Sequence, residues 1–148
     1  MESMYNYRLT PANTMFANED YCAFTRAEAI NFSELEKYYK RRKIGINKTL
    51  FKKVLMHSKR ETFINLGVKQ KLLWLDGSYY NPEAIKRVSK ALENLGLEPL
   101  ELWTPYKVHD EPMVVRLDNS WALLIAPVNM FTYFKWKDTM LEILKRDF

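Results

Sequence analysis

Residues 110–128 read DEPMVVRLDNSWALLIAPV, two apolar-rich runs flanking the polar knot Asp118, Asn119 and Ser120. Runs of Val, Leu, Ile and Trp of this length, broken by residues that tolerate tight turns, predict two β-strands joined as a hairpin. Pro112 and Pro127 then belong at strand ends or at a sheet edge, where a missing backbone donor is tolerated. Nothing in the stretch carries obvious chemistry, so its value lies in fixing the architecture around it.

Moving towards the N-terminus, LEPLELW (97–103) is a further strand, and NPEAIKRVSKALENLG (81–96) is the best-delimited element of the chain. Asn81 suits the N-cap and Pro82 the first helical position, where its missing N–H costs nothing. Gly96 suits the left-handed residue that closes a helix. Ile85, Val88, Leu92 and Leu95 recur at helical spacing, while Lys86, Arg87, Lys90 and Glu93 fall off that stripe. Asp76 and Gly77 form a turn signal. Residues 62–75, TFINLGVKQKLLWL, predict one or two strands broken at Gly67.

Further upstream, Ser33 and Glu36 stand in the spacing of a capping box, which predicts a helix of about 9 to 11 residues ending before Gly45. Asn47 is a candidate cap for a second helix, KTLFKKVLMHSKR (48–60), amphipathic through Leu50, Phe51, Val54 and Leu55. Residues 1–27 show no clean period beyond the strand candidate DYCAFTRAE. At the other end KDTMLEILKRD (137–147) predicts a short helix capped by Asp138, with Lys145 and Arg146 near its negative end.

These elements define an α+β chain: an antiparallel sheet with two or three amphipathic helices packed on one side and a βαβββ unit at its C-terminal end. Residues 1–45 read as an irregular arm plus a helix and 46–148 as the α+β body, within what a single compact domain of 148 residues accommodates. A hydrophobic fraction of 47% and an aromatic fraction of 14% supply a core without covalent help. The lone Cys22 excludes an internal disulfide and a cysteine-rich zinc site, and fits a reducing, cytoplasmic location. No run approaches the roughly 20 apolar residues of a membrane span, and MESMYNYRLTP lacks an apolar signal core.

The net charge is +5, and ten of the 23 Lys and Arg residues lie in 37–60, KYYKRRKIGINKTLFKKVLMHSKR, with no acid among them. Such a segment can neutralise phosphates through Lys40, Arg41, Arg42, Lys43, Lys48, Lys52, Lys53 and Lys59, or it can be a solvated surface. His57, His109 and Cys22 show no spacing that pairs a nucleophile with a base. In HDE (109–111) neighbouring side chains of an extended chain point to opposite faces, which suits a polar loop better than a metal site. The carboxylates Glu34, Glu36, Asp76, Asp110 and Glu111 show no convergence that would hold a catalytic Mg²⁺. No phosphate loop, dinucleotide fingerprint, nucleophile elbow or zinc-protease helix is present. No catalytic residue, cofactor or metal is therefore assigned. Trp74, Trp103, Trp121 and Trp136 are expected to pack rather than to form a binding stripe.

Taken together, DGSYYNPEAIKRVSKALENLGLEPLELW and EPMVVRLDNSWALLIAPV, within residues 76–128, resemble the repeating half-domain of DNA sliding clamps. Tyr79, Tyr80 and Asn81 enter the helix, Pro112 to Leu117 match the penultimate strand, and Ala122 to Val128 match the closing strand. The resemblance covers about a third of the chain and consists of apolar patterns and turns. It implies a function without catalysis, in which basic helices face DNA and a surface receives peptides of replication or repair proteins. Lys86, Arg87 and Lys90 are then the phosphate contacts of the matching helix, and Lys52, Lys53 and Lys59 take the equivalent role if residues 46–75 form a degenerate partner half-domain. A ring of six such domains would take many copies of this chain, so the resemblance implies a homo-oligomer or an isolated module acting on DNA or a replication protein, in replication or in a phage or mobile element.

Two other readings stay open at this stage. One is a basic DNA- or RNA-binding protein of unrelated fold acting through residues 37–60. The other is a small metal-dependent nuclease using the scattered acids with His57 or His109.

Overall fold

The computed structural model describes residues 14–18, 22–65, 67–108, 111–118 and 120–128. In chain order the elements are β1 (Thr14–Asn18), β2 (Cys22–Arg26), a 3-10 turn (Ala27–Ala29), α1 (Phe32–Leu35), β3 (Tyr39–Lys43), α2 (Leu50–His57), β4 (Lys59–Asn65), β5 (Val68–Leu75), β6 (Ser78–Tyr80), α3 (Pro82–Leu95), β7 (Pro99–Pro105), β8 (Met113–Leu117) and β9 (Trp121–Ile125). The fold class is α+β. A six-stranded sheet has the order β1-β2-β9-β8-β7-β3 and a three-stranded sheet the order β4-β5-β6, with every pairing antiparallel.

The hairpin 113–125 lies in the middle of the large sheet, and alternation along it sorts two apolar layers. Leu102, Met113, Val115, Leu117, Leu123 and Ile125 face a core shared with Leu73, Leu75 and Tyr80 of the small sheet, Leu50 and Val54 of α2, and Ile85, Val88 and Leu92 of α3. Trp103, Val114, Ala122 and Leu124 belong to a second cluster with Ile30, Leu35 and Tyr39, against which Phe32 and Tyr38 pack. Helices α2 and α3 thus share one side of the large sheet, and the segment carrying α1 covers the other. Each fully buried Leu, Ile or Val contributes about 1.5–3 kcal/mol, so the central strands anchor the fold. Ser120 closes the hairpin at φ 66°, the left-handed residue that a three-residue loop requires at its last position.

The βαβββ order of the C-terminal part is present as β6-α3-β7-β8-β9, with β6 in the small sheet and the three later strands consecutive in the large one. The strand break at Gly67 and the Asp76–Gly77 turn are where the sequence places them, with Asp76 at φ 52° and Gly77 at φ 96° in the geometry of a two-residue hairpin. After β9 the chain crosses to the small sheet, where the Val128 N–H donates to the Tyr79 carbonyl at 2.8 Å.

Three expectations are corrected. The helix predicted from Ser33 is only the four-residue α1, capped by Asn31, whose side chain accepts from the Glu34 N–H at 3.1 Å. The residues after it, Tyr39–Lys43, form strand β3 instead. The reason is nonlocal: β3 pairs along its length with β7, and Tyr39 buries its ring while its hydroxyl donates to the Pro112 carbonyl at 2.9 Å. Second, of the region 1–45 read as an irregular arm plus a helix, the strand candidate DYCAFTRAE is β2, and the described residues add β1 and β3 to the same large sheet. Third, α2 is capped by Thr49, which accepts from the Lys52 N–H at 3.3 Å, whereas Asn47 sits in the preceding loop at φ 63°. The C-terminal helix predicted over 137–147, Trp136, His109 and Asp110 lie outside the described residues.

Candidate nucleic-acid interface

Helix α3 is defined by its own ends. The Asn81 side chain accepts from the Glu83 N–H at 2.9 Å, and Pro82 opens the first turn. Gly96 takes φ 68°, letting its N–H reach the Glu93 carbonyl at 3.1 Å and the Leu97 N–H reach that of Leu92 at 2.9 Å. Ala84, Ile85, Val88, Ser89 and Leu92 are buried. At about 100° per residue, Lys86, Arg87 and Lys90 cluster on the pole opposite that stripe, and all three are exposed. Glu83 and Glu93 share the exposed surface.

Helix α2 packs beside α3 and is tied to it where the Phe51 N–H donates to the Ser89 hydroxyl at 3.3 Å. Leu50 and Val54 are buried, Lys52 and Met56 face solvent, and Lys53 is half-buried on one flank. Neither Lys52, Lys53, Lys86, Arg87 nor Lys90 makes an ion pair among the described residues. Two adjacent helices therefore present five uncompensated cations beside two acids, a surface that attracts an extended polyanion.

Strand β3 divides its four cations. Arg42 is committed to structure: its guanidinium donates to the Thr104 hydroxyl at 2.7 Å and grips both oxygens of Asp76, at 2.8 and 3.0 Å. The Thr104 hydroxyl also donates to Asp76. Burial pushes the Asp76 carboxyl up, but the hydrogen bonds from Arg42 and Thr104 and the charges of Arg42 and Lys40 outweigh it and hold the acid below its usual range. This network clasps the large sheet, through β3 and β7, to the β5–β6 turn of the small one. Arg41 lies 3.5 Å from Glu101 and over the Trp103 ring at 5.8 Å, on the face away from α2 and α3. Glu101 also meets Arg116 at 3.7 Å. Lys40 and Lys43 are exposed and make no ion pair among the described residues.

Lys48 is exposed in the loop before α2, its ammonium 3.9 Å from the Met56 sulfur, and Lys59 is exposed at the start of β4. A cleft lined by Lys48, Thr49, Leu92, Glu93, Gly96 and Leu97 separates the start of α2 from the end of α3. The structure thus gathers Lys52, Lys53, Lys86, Arg87 and Lys90 on neighbouring helices, separates Arg41 onto the opposite face, and removes Arg42 from solution chemistry. Sequence reasoning missed His57 as a member of this surface. Its signal was present in the spacing, four residues after Lys53 on one helical flank.

Trp103 is buried at 1% exposure and Trp74 and Trp121 are half-buried, so the described tryptophans pack as expected. Among the described residues no three His, Cys, Asp or Glu side chains converge on a common point. Elsewhere, the Tyr79 hydroxyl donates to Glu61 at 2.7 Å, and burial, then this hydrogen bond and the carboxylate charge, push the phenol up to about 12. No helix of the described residues is long and apolar enough to cross a membrane. Compared with protein families, curated proteins and solved structures, the chain matches none.

Proposed function

We propose that this protein is a non-enzymatic, DNA-associated accessory protein with a sliding-clamp-like module, binding DNA, a replication protein or both in the cytoplasm. The observation that carries the reading is the pairing of α2 and α3 side by side on one face of the sheet, with Lys52, Lys53, Lys86, Arg87 and Lys90 free of ion pairs among the described residues. Each helix places its apolar stripe in the common core, which leaves Lys52, Lys86, Arg87 and Lys90 exposed and Lys53 half-buried at the edge. The run of α3 into three consecutive antiparallel strands supports the likeness to the clamp half-domain.

The same arrangement favours this reading over one in which residues 37–60 act as a single basic segment. That segment is divided between a strand and a helix, and Arg41 and Arg42 are engaged with Glu101 and Asp76. A phosphate track built on α2 and α3 binds duplex DNA through its backbone and positions the protein without reading sequence. Closure around DNA would require a homo-oligomer, whereas a monomer acts as a module on a partner.

Mapping amide chemical shifts during titration with a short DNA duplex tests this directly. Perturbations concentrated in 50–57 and 82–95 are expected. Perturbations confined to the 27–38 segment on the opposite face, or none at near-physiological salt, would overturn it.

A further inference from the structure

Three placements bring cations together at the end of the helical face. On β3, Lys40 and Arg42 are two residues apart and opposite Thr104 and Leu102, so both project to the side of the sheet that carries α2 and α3. On α2, Lys53 and His57 lie one turn apart, on the flank away from Phe51 and the Ser89 contact to α3. Between them, α2 packs on β5, and the residue after that strand, Asp76, holds the Arg42 guanidinium. Arg42 spends its charge on Asp76. Lys40 and Lys53 have no ion pair among the described residues, and exposed His57 ends α2 two residues before Lys59, whose strand partner Trp74 lies two residues before Asp76.

The His57 environment agrees. Burial, followed by the charges of Arg42, Lys53 and Lys40, lowers the imidazole pKa from its usual value, and only Asp76 opposes them. The placement of Lys40, Lys53 and His57 around the Arg42–Asp76 pair puts positive charge on the imidazole from two elements, and an anion seated there would favour the imidazolium.

We propose that Lys40, Lys53 and His57 form a phosphate-binding corner at the edge of the α2–α3 face, gripping a backbone phosphate of bound DNA more tightly once His57 takes up a proton. The proposal rests on the DNA-binding reading and adds to it a further contact residue and a pH dependence. The two lysines supply charge at any physiological pH, and His57 adds a third donor only when protonated. The Arg42–Asp76 pair forms the fixed floor that holds β3 and the β5–β6 turn in register beneath the site.

The test is duplex DNA affinity by fluorescence anisotropy at pH 8.0 and pH 5.5, with ionic strength held constant, for the full chain and for His57→Gln, Lys40→Gln and His109→Gln. A one-unit rise in a pKa on binding corresponds to tenfold in affinity at most, so the unaltered protein should gain about fivefold at the lower pH. His57→Gln should reduce that gain to about twofold or less, Lys40→Gln should weaken binding at both pH values, and His109→Gln should keep the gain. A gain that survives in His57→Gln while the duplex still binds overturns the corner and leaves the DNA-binding reading intact. Absence of duplex binding at either pH overturns that reading. The His57 ring signals then decide the corner by titration with inorganic phosphate, a shift supporting it and an unchanged ring overturning it.

Discussion

Strand β3, with four cations in five residues, and helix α3, with three cations and two acids in fourteen, put their positive charge to opposite use. Arg42 of β3 is buried against Asp76 and Thr104, where a cation joins two sheets. Lys86, Arg87 and Lys90 of α3 point away from a helix already complete in its caps and its apolar stripe. A positive charge is thus a fold determinant in one region and an exposed surface in the other, and the difference lies in whether a carboxylate from a distant strand turn arrives beside it.

The contrast predicts effects of different kind and size. Arg42→Ala leaves the largely buried Asp76 carboxylate unpaired, which should cost about 3 kcal/mol of unfolding free energy in a denaturant titration. A loss below about 0.5 kcal/mol, the range of ordinary surface changes, would return Arg42 to the same class as the α3 cations. Replacing Lys86, Arg87 and Lys90 together with Gln should do the reverse. Duplex affinity should fall by about tenfold or more at moderate salt, while stability stays within about 0.5 kcal/mol.

Smaller effects sharpen the comparison from each side. Asn81→Ala removes the cap that lets α3 define its own start and should cost about 1 kcal/mol, readable as a lower denaturation midpoint. On the β3 side, Asp76 is held below its ordinary pKa of 3.8, so the clasp contributes its full stability above that value and loses it as pH falls through the lowered one. Asp76→Asn should therefore be less stable at neutral pH yet lose less on acidification. A steeper acid loss in Asp76→Asn than in the unaltered chain would contradict the assignment.

The same contrast explains what could be read from the residues alone. Helix α3 and the hairpin 113–125 were legible because their signals are local: Asn81, Pro82 and Gly96 bracket one, and the Asp118–Ser120 turn between β-branched and aliphatic runs marks the other. The long helix expected after Ser33 was not, because Lys and Arg tolerate a helix and nothing nearby shows that Tyr39 and Arg42 have partners at Pro112, Asp76 and Thr104. The cap of α2 went to Thr49 rather than Asn47 for a simpler reason. Two cap-forming residues lie two positions apart, and the turn before the helix places Asn47 at positive φ. For the candidate site, the helical cations were legible from spacing. The loss of Arg42 to an ion pair and the placement of His57 near the Asp76 turn depend on pairings across the chain.

The most direct measurement is the salt dependence of duplex DNA affinity for the unaltered protein and for the variant with Lys52, Lys86, Arg87 and Lys90 replaced by Gln. Each phosphate contact contributes about 0.9 to the slope of log affinity against log salt. If the helical face is the DNA surface, the variant should lose a slope of about three to four. An unchanged slope would contradict the account, because the free cations of α2 and α3 would then contact no phosphate.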